Sequence, residues 1–183
     1  MTPARVDQRA GSVVRSWCQQ SGVEFSEDSP GRFAIVLPGE KKLRTTVAVT
    51  VGSDTATIEA FVMRRPDQNA ERINRWLLER NSRIFGLAYA LDHLGDIFLV
   101  GALPTSCLTP ADLDRLMGAV LAHADEPFNS LLEVGFTDAI KAEWRWRLAS
   151  GESTANLAAF PHLAPPAATT ATSNDETGHP DQA

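Results

Sequence analysis

Side chains able to do chemistry are few in this chain, and they are scattered. The four histidines stand at His93, His123, His162 and His179, and no cysteine or carboxylate pair accompanies any of them at ligand spacing. A metal centre needs three or four donors brought to one point, so no metal is expected. His93 reads as a turn residue facing solvent. Cys18 belongs to an apolar helical stripe, where a thiol serves as a small hydrophobe. Cys107 precedes a helix cap at Thr109 by two residues, too early for the helix N-terminus to favour its thiolate. Asp125 and Glu126 could act as acids, but no base or second acid pairs with them in sequence. The chain contains no Gly-rich phosphate loop, no G-x-S-x-G, no CxxC and no HExxH. A catalytic role is therefore not expected, and neither is a cofactor.

Binding chemistry is better represented. Arg64 and Arg65 close a strand and could grip an anion or an acidic face. Residues 135–147, GFTDAIKAEWRWR, gather Trp144, Arg145, Trp146 and Arg147. On a helix, Ile140, Trp144 and Leu148 would share one face, and Trp146 would lie about 200° from Trp144. Both tryptophans cannot enter one core. Tryptophan and arginine are enriched among interface anchors, so the Trp146 face is expected to meet another chain or subunit.

Composition narrows the class of partner. The 183 residues carry a net charge of −6 and an ordinary apolar fraction of 43%, enough for one globular domain with a real core. Phosphate contacts need clustered Lys and Arg, so nucleic acid is not an expected partner. No apolar run approaches the length of a membrane span, and residues 1–12 lack the apolar core of a secretory signal. Two cysteines fit a reducing compartment. A cytoplasmic protein is expected.

The elements that must position these residues follow from pattern. Residues 5–21 form an amphipathic helix through Val6, Ala10, Val13, Val14, Trp17 and Cys18, closed at Gly22. Strands are predicted over 23–28, 32–37, 43–51 and 55–63, joined by Pro/Gly/Ser turns into a meander whose third member alternates most cleanly. Residues 70–80 form a second helix, with Asn81 as a left-handed terminator. A hairpin over 86–91 and 97–103 follows. Its runs do not alternate, which predicts cover on both faces. Thr109, Pro110 and Asp112 make a capping box that opens the third helix. Asp125-Glu126-Pro127 interrupts it, Gly135 ends a short continuation, and residues 138–149 form the last helix. The predicted order is α-β-β-β-β-α-β-β-α, an α+β domain over residues 1–160. Residues 161–183 read as a disordered Ala/Pro/Thr-rich tail.

This order resembles the YbjN family. The resemblance is carried by Leu77-Leu78-Glu79-Arg80-Asn81, Gly86-Leu87-Ala88-Tyr89-Ala90-Leu91-Asp92, Gly95-Asp96-Ile97-Phe98-Leu99 and Leu103-Pro104. Family members show a similar leucine pair and Asn before the hairpin, and a similar Asp and Gly in its loop. Gly135-Phe136, Ile140 and Glu143 to Arg147 are similar to the actinobacterial form. The resemblance implies a fold like that of type III secretion chaperones. It also implies a dimer that binds protein or regulates rather than catalyses, and it brings no catalytic residues with it. A small-ligand sensor, or an enzyme whose site is too dispersed to see in sequence, is the competing reading.

Overall fold

In the computed structural model, residues 5–166 are described. They fall into two compact units that divide after Asp138.

The first unit is built on one six-stranded antiparallel sheet. Its strands are β1 (Glu24–Ser29), β2 (Arg32–Pro38), β3 (Arg44–Val51), β4 (Thr55–Met63), β5 (Ala88–Leu91) and β6 (Ile97–Pro104), in the order β1-β2-β3-β4-β6-β5. The meander and the hairpin are thus one surface, joined where β4 pairs with β6. One register row runs Phe25, Ile35, Val47, Ala60, Leu99, Tyr89 across all six strands, and every member from Ile35 to Tyr89 is buried. Alternation of side chains sends the neighbouring residues to the other face.

Among the described residues of the first unit, helices cover the first face. α1 (Gln8–Ser21) packs on α3 (Pro110–Ala124), α3 lies on β4 and β6, and α2 (Ala70–Asn81) lies against β5. α1 begins later than its apolar stripe suggests because Asp7 caps it, accepting the Ala10 N–H at 2.9 Å. Trp17 Nε1 donates to Asp114 Oδ1 at 2.7 Å, tying α1 to α3. The capping box of α3 is present, with Asp112 N to Thr109 Oγ1 at 3.2 Å and Thr109 N to Asp112 Oδ2 at 3.1 Å.

Three expectations are corrected. Leu43 does not begin β3: it sits in the left-handed region at φ 64, exposed, where the β2–β3 loop closes. Asn81 is not left-handed; it stays in α2, and its side chain has another task. Gly135 does not end a helix. Instead α4 (Phe128–Ser150) continues through a break at Phe136, φ −140 and ψ 24. The Gly135 carbonyl turns to accept from Asp67 N and Gln68 N, both at 3.1 Å, and Asn69 Nδ2 donates to Val134 O at 2.9 Å. Carbonyls drawn out of the helical ladder are a sufficient cause of the kink.

The second unit holds the C-terminal part of α4, ended by Gly151 at φ 68, and two 3-10 turns, Ala155–Leu157 and Pro161–Leu163. Within it, Trp144 Nε1 donates to Phe160 O at 3.0 Å, and Arg147 bridges Glu143 Oε1 and Ser153 O. Of the expected tail, residues 167–183 lie outside the described residues.

Candidate protein-binding surfaces

Among the described residues of the first unit, the second face of the sheet is open. A row parallel to the core row runs Ser26, Ala34, Ala48, Glu59, Val100, Ala88, and the next rows hold Thr46, Thr50, Thr57, Phe61, Phe98, Ala90 and Ala102. All are exposed or half-buried. Cover on both sides of the hairpin is therefore not what the first unit provides. Over β2 to β4 this face carries Ala34, Ala48, Thr46, Thr50, Thr57 and Glu59, with Val36, Arg32 and Arg44 beside them, and its larger apolar side chains lie over β4 and β6. Phe61 and Phe98 meet there edge to face at 5.4 Å, and Phe61 remains 39% exposed.

A buried carboxylate fixes the rim of this face. Asp125 accepts the N–H groups of Glu40, Lys41 and Lys42 at 3.0, 3.0 and 2.7 Å. Burial pushes its carboxyl up, but the three donors outweigh burial and hold it below the usual range. Gly39 is required beside it, because a Cβ there would collide with the carboxylate. The loop so held presents Lys42 to the Phe61 carbonyl, 5.1 Å from the Phe61 ring and 5.8 Å from Phe128. Burial pushes the Lys42 amine down to about 8, with Asp125 opposing. Aromatic faces also favour the ammonium form, so the cation is retained at neutral pH.

Both sheet edges are blunted. At β5, Asn81 Oδ1 accepts the Tyr89 N–H at 2.7 Å, and Asn81 Nδ2 donates to the Tyr89 carbonyl at 3.2 Å. One side-chain amide thereby takes the place of a seventh strand. At β1, Glu24 and Glu27 stand on the outermost strand and pair with Arg44 and Arg15. Charge and capping of this kind discourage strand addition. Beside the β5 edge, Leu78, Phe85, Leu91 and Leu94 are exposed.

Tyr89 also anchors a cluster below that edge. Its hydroxyl donates to His123 O at 2.6 Å, its ring lies 6.0 Å from Trp76, and Arg80 stacks on Trp76 at 4.1 Å. His123 Nδ1 is buried without a hydrogen-bond partner. Burial, then the Arg80 charge, lowers the pKa of His123, against a smaller opposing effect of Glu126.

The residues singled out by sequence are distributed over both units. Arg64 makes two bonds to Asp67, at 2.8 and 2.9 Å, and its guanidinium lies 4.2 Å from the Phe136 ring. The Arg65 N–H donates to Asp96 Oδ1 at 2.7 Å, and its stem lies over Gly95. In the second unit Trp146 is 55% exposed with Arg147 at 5.7 Å, Trp144 is half-buried and Arg145 is exposed. Leu148 departs from the expected inward stripe, being 54% exposed. Cys18 is buried, which pushes its thiol to about 11 and keeps it protonated. Cys107 is exposed in a 3-10 turn, Thr105–Cys107. Sequence reading missed Asp125, Lys42 and Asn81 as positioning residues. Only Asn81 carried a signal, its place in the family-like stretch before the hairpin.

The first unit is thus defined as an α+β protein with a six-stranded antiparallel sheet covered by helices on one face. The chain aligned in the crystal structure of the ExsC–ExsE complex shares this fold, with a TM-score of 0.51, 17% identity, 67% of this chain and 93% of that chain covered. The type III secretion chaperone SycH of Yersinia pestis, solved with a stable fragment of YscM2, aligns with a TM-score of 0.48 at 16% identity, covering 63% of this chain and 96% of that one. Residues 11–133 match the YbjN family, described as "Putative bacterial sensory transduction regulator". The chain belongs to the YbjN family. It is 43% identical over 158 residues to an uncharacterised protein of Mycobacterium tuberculosis H37Rv, covering 84% of this chain and 86% of that protein.

Proposed function

We propose that this chain is a non-catalytic, chaperone-like or regulatory protein that binds other polypeptides on the open face of its sheet and works as a dimer. The observation that carries the reading is the face left uncovered among the described residues of the first unit, apolar around Phe61, Phe98 and Val100 and bordered by Arg32, Arg44 and Glu59. An apolar surface of this kind rimmed by polar residues marks an interaction site. Both edges resist strand addition, which leaves the face as the route of contact. The fold it shares with the chain of the ExsC–ExsE complex supports a polypeptide as ligand. Trp146, with Trp144, Arg145 and Arg147 around it, is the proposed contact between subunits. Arg64 and Arg65 are a second proposed contact, reading acidic groups of a partner.

Affinity capture and light scattering separate the two parts. Phe98→Glu should abolish retention of the proteins held by the wild-type chain while leaving its circular dichroism unchanged. Trp146→Ala should lower the mass measured over a dilution series. A wild type that retains no protein, or whose retention survives Phe98→Glu, contradicts the binding reading. A monomeric wild type contradicts the dimer.

A further inference from the structure

We propose that the groove between α2 and the first turns of α4 is a second polypeptide-binding site, and that it takes a short acidic segment carrying one aliphatic side chain. The groove has a volume of about 200 Å³ and is lined by Arg72, Ile73, Trp76, Ser130, Leu131 and Val134, all within the first unit. Its shape is fixed from one end. The Gly135 carbonyl accepts from Asp67 N and Gln68 N, Asn69 Nδ2 donates to Val134 O, and a Cβ on Gly135 would press on Ile73 Cδ1 at 3.1 Å. Ile73 and Leu131 are buried, Trp76 and Val134 are half-buried, and Arg72 and Ser130 are exposed. The lining is therefore mostly apolar, with a cation at its exposed margin.

Charge defines the chemistry of the partner. Residues 64–83 carry six arginines against three carboxylates, in a chain whose net charge is −6. Arg64 takes Asp67, and Arg72, Arg75 and Arg83 enter no ion pair among the described residues. On α2, Arg72, Trp76 and Arg80 follow at i, i+4 and i+8, which makes one stripe about 12 Å long. An extended segment covers that length in about four residues. Carboxylates at its two ends then meet Arg72 and Arg80, and an aliphatic side chain between them enters the groove beside Trp76. The Arg80 guanidinium already lies 4.1 Å over the Trp76 ring, which denies that face to a nucleobase. An apolar seat between two cations favours a polypeptide over nucleic acid. The groove shares no residue with the open sheet face, so the two sites are tested separately.

The test is fluorescence anisotropy of the full chain with a fluorescein-labelled peptide, EDELDED. The peptide should bind at low salt and be released at about 1 M salt, where screening acts over ~3 Å. Replacing its leucine by serine should weaken binding about tenfold, the scale of one buried aliphatic side chain. Arg72→Glu should weaken it about fivefold, the upper range for an exposed ion pair. Arg32→Glu makes the same change of charge on the open sheet face and should leave the affinity within about twofold, because distant exposed charges are screened. Ser130→Phe fills the groove from an exposed position and should abolish the preference for leucine while leaving the circular dichroism unchanged. No binding to wild type, equal affinity for the two peptides, or equal losses from Arg32→Glu and Arg72→Glu would overturn the proposal. So would a leucine preference that survives Ser130→Phe. Displacement of the peptide by oligothymidylate at matched charge would also overturn it and assign the groove to nucleic acid.

Discussion

Asp125 shows how one carboxylate can organise a surface it does not belong to. It closes the turn between the two sheet-long strands β2 and β3 from a position 83 to 85 residues away, and the aromatic rim with Lys42 follows from that closure. Asp125→Ala leaves three backbone donors without their acceptor. It should destabilise the protein by about 2–3 kcal/mol in urea unfolding, the scale for hydrogen bonds to a charged group. Because the folded carboxyl titrates below its ordinary 3.8, this contribution is complete above that pH and is lost as pH falls through the lowered value. Nothing in the sequence links Asp125 to residues 40–42, since a carboxylate followed by Glu-Pro reads only as a helix break. Asn81 was half legible: its position before the hairpin was marked, but its bonds to Tyr89 depend on α2 lying against a strand edge.

Among elements, the hairpin is where local pattern misled. Gly86 to Leu91 and Ile97 to Leu103 contain almost no polar residues, so period-two burial is invisible in composition. The structure nevertheless alternates it, with Ile97 and Leu99 buried and Phe98 and Val100 half-buried. The small and apolar residues on the open side are what a contact surface requires, and they erase the contrast that alternation normally displays. Leu99→Ala should therefore cost about 2–5 kcal/mol, as for a core truncation. Phe98→Ala should cost less than half as much in the same chemical denaturation. Equal losses would show that the second face is covered in solution. The helix breaks were read more successfully, because Pro127 and Gly151 act locally. The kink of α4 at Phe136 depends on carbonyls taken by residues 67–69, which no local rule reports.

At the C-terminal turn of α3, His123 makes the packing of α2, β5 and α3 sensitive to pH. Its folded pKa lies below the ordinary 6.5, so the unfolded chain binds the proton more readily. Stability is then complete above pH 6.5 and falls as pH drops through that value toward the folded pKa. Facing it are Arg80, Tyr89 and Glu126, of which only Glu126 favours the cation. Thermal melts between about pH 7.5 and 5.5 should decline in wild type, and the slope should flatten in His123→Gln. An identical slope in the variant would assign the pH dependence to other groups.

For the whole molecule, the order of elements was legible from turns and caps, while the joining of meander to hairpin was not. The pairing of β4 with β6 connects residues about 40 apart and leaves no local trace, yet it turns two small sheets into one broad face. That face is the centre of the functional reading. A photo-reactive phenylalanine analogue at position 98 tests it most directly, with the same analogue at Ser12 on the exposed side of α1 as control. After irradiation in cells that express the chain natively, position 98 should yield discrete protein adducts identified by mass spectrometry, and position 12 should yield none of them. Adducts absent at 98, or shared equally by both positions, would contradict the claim that the open sheet face is where this protein meets its partners.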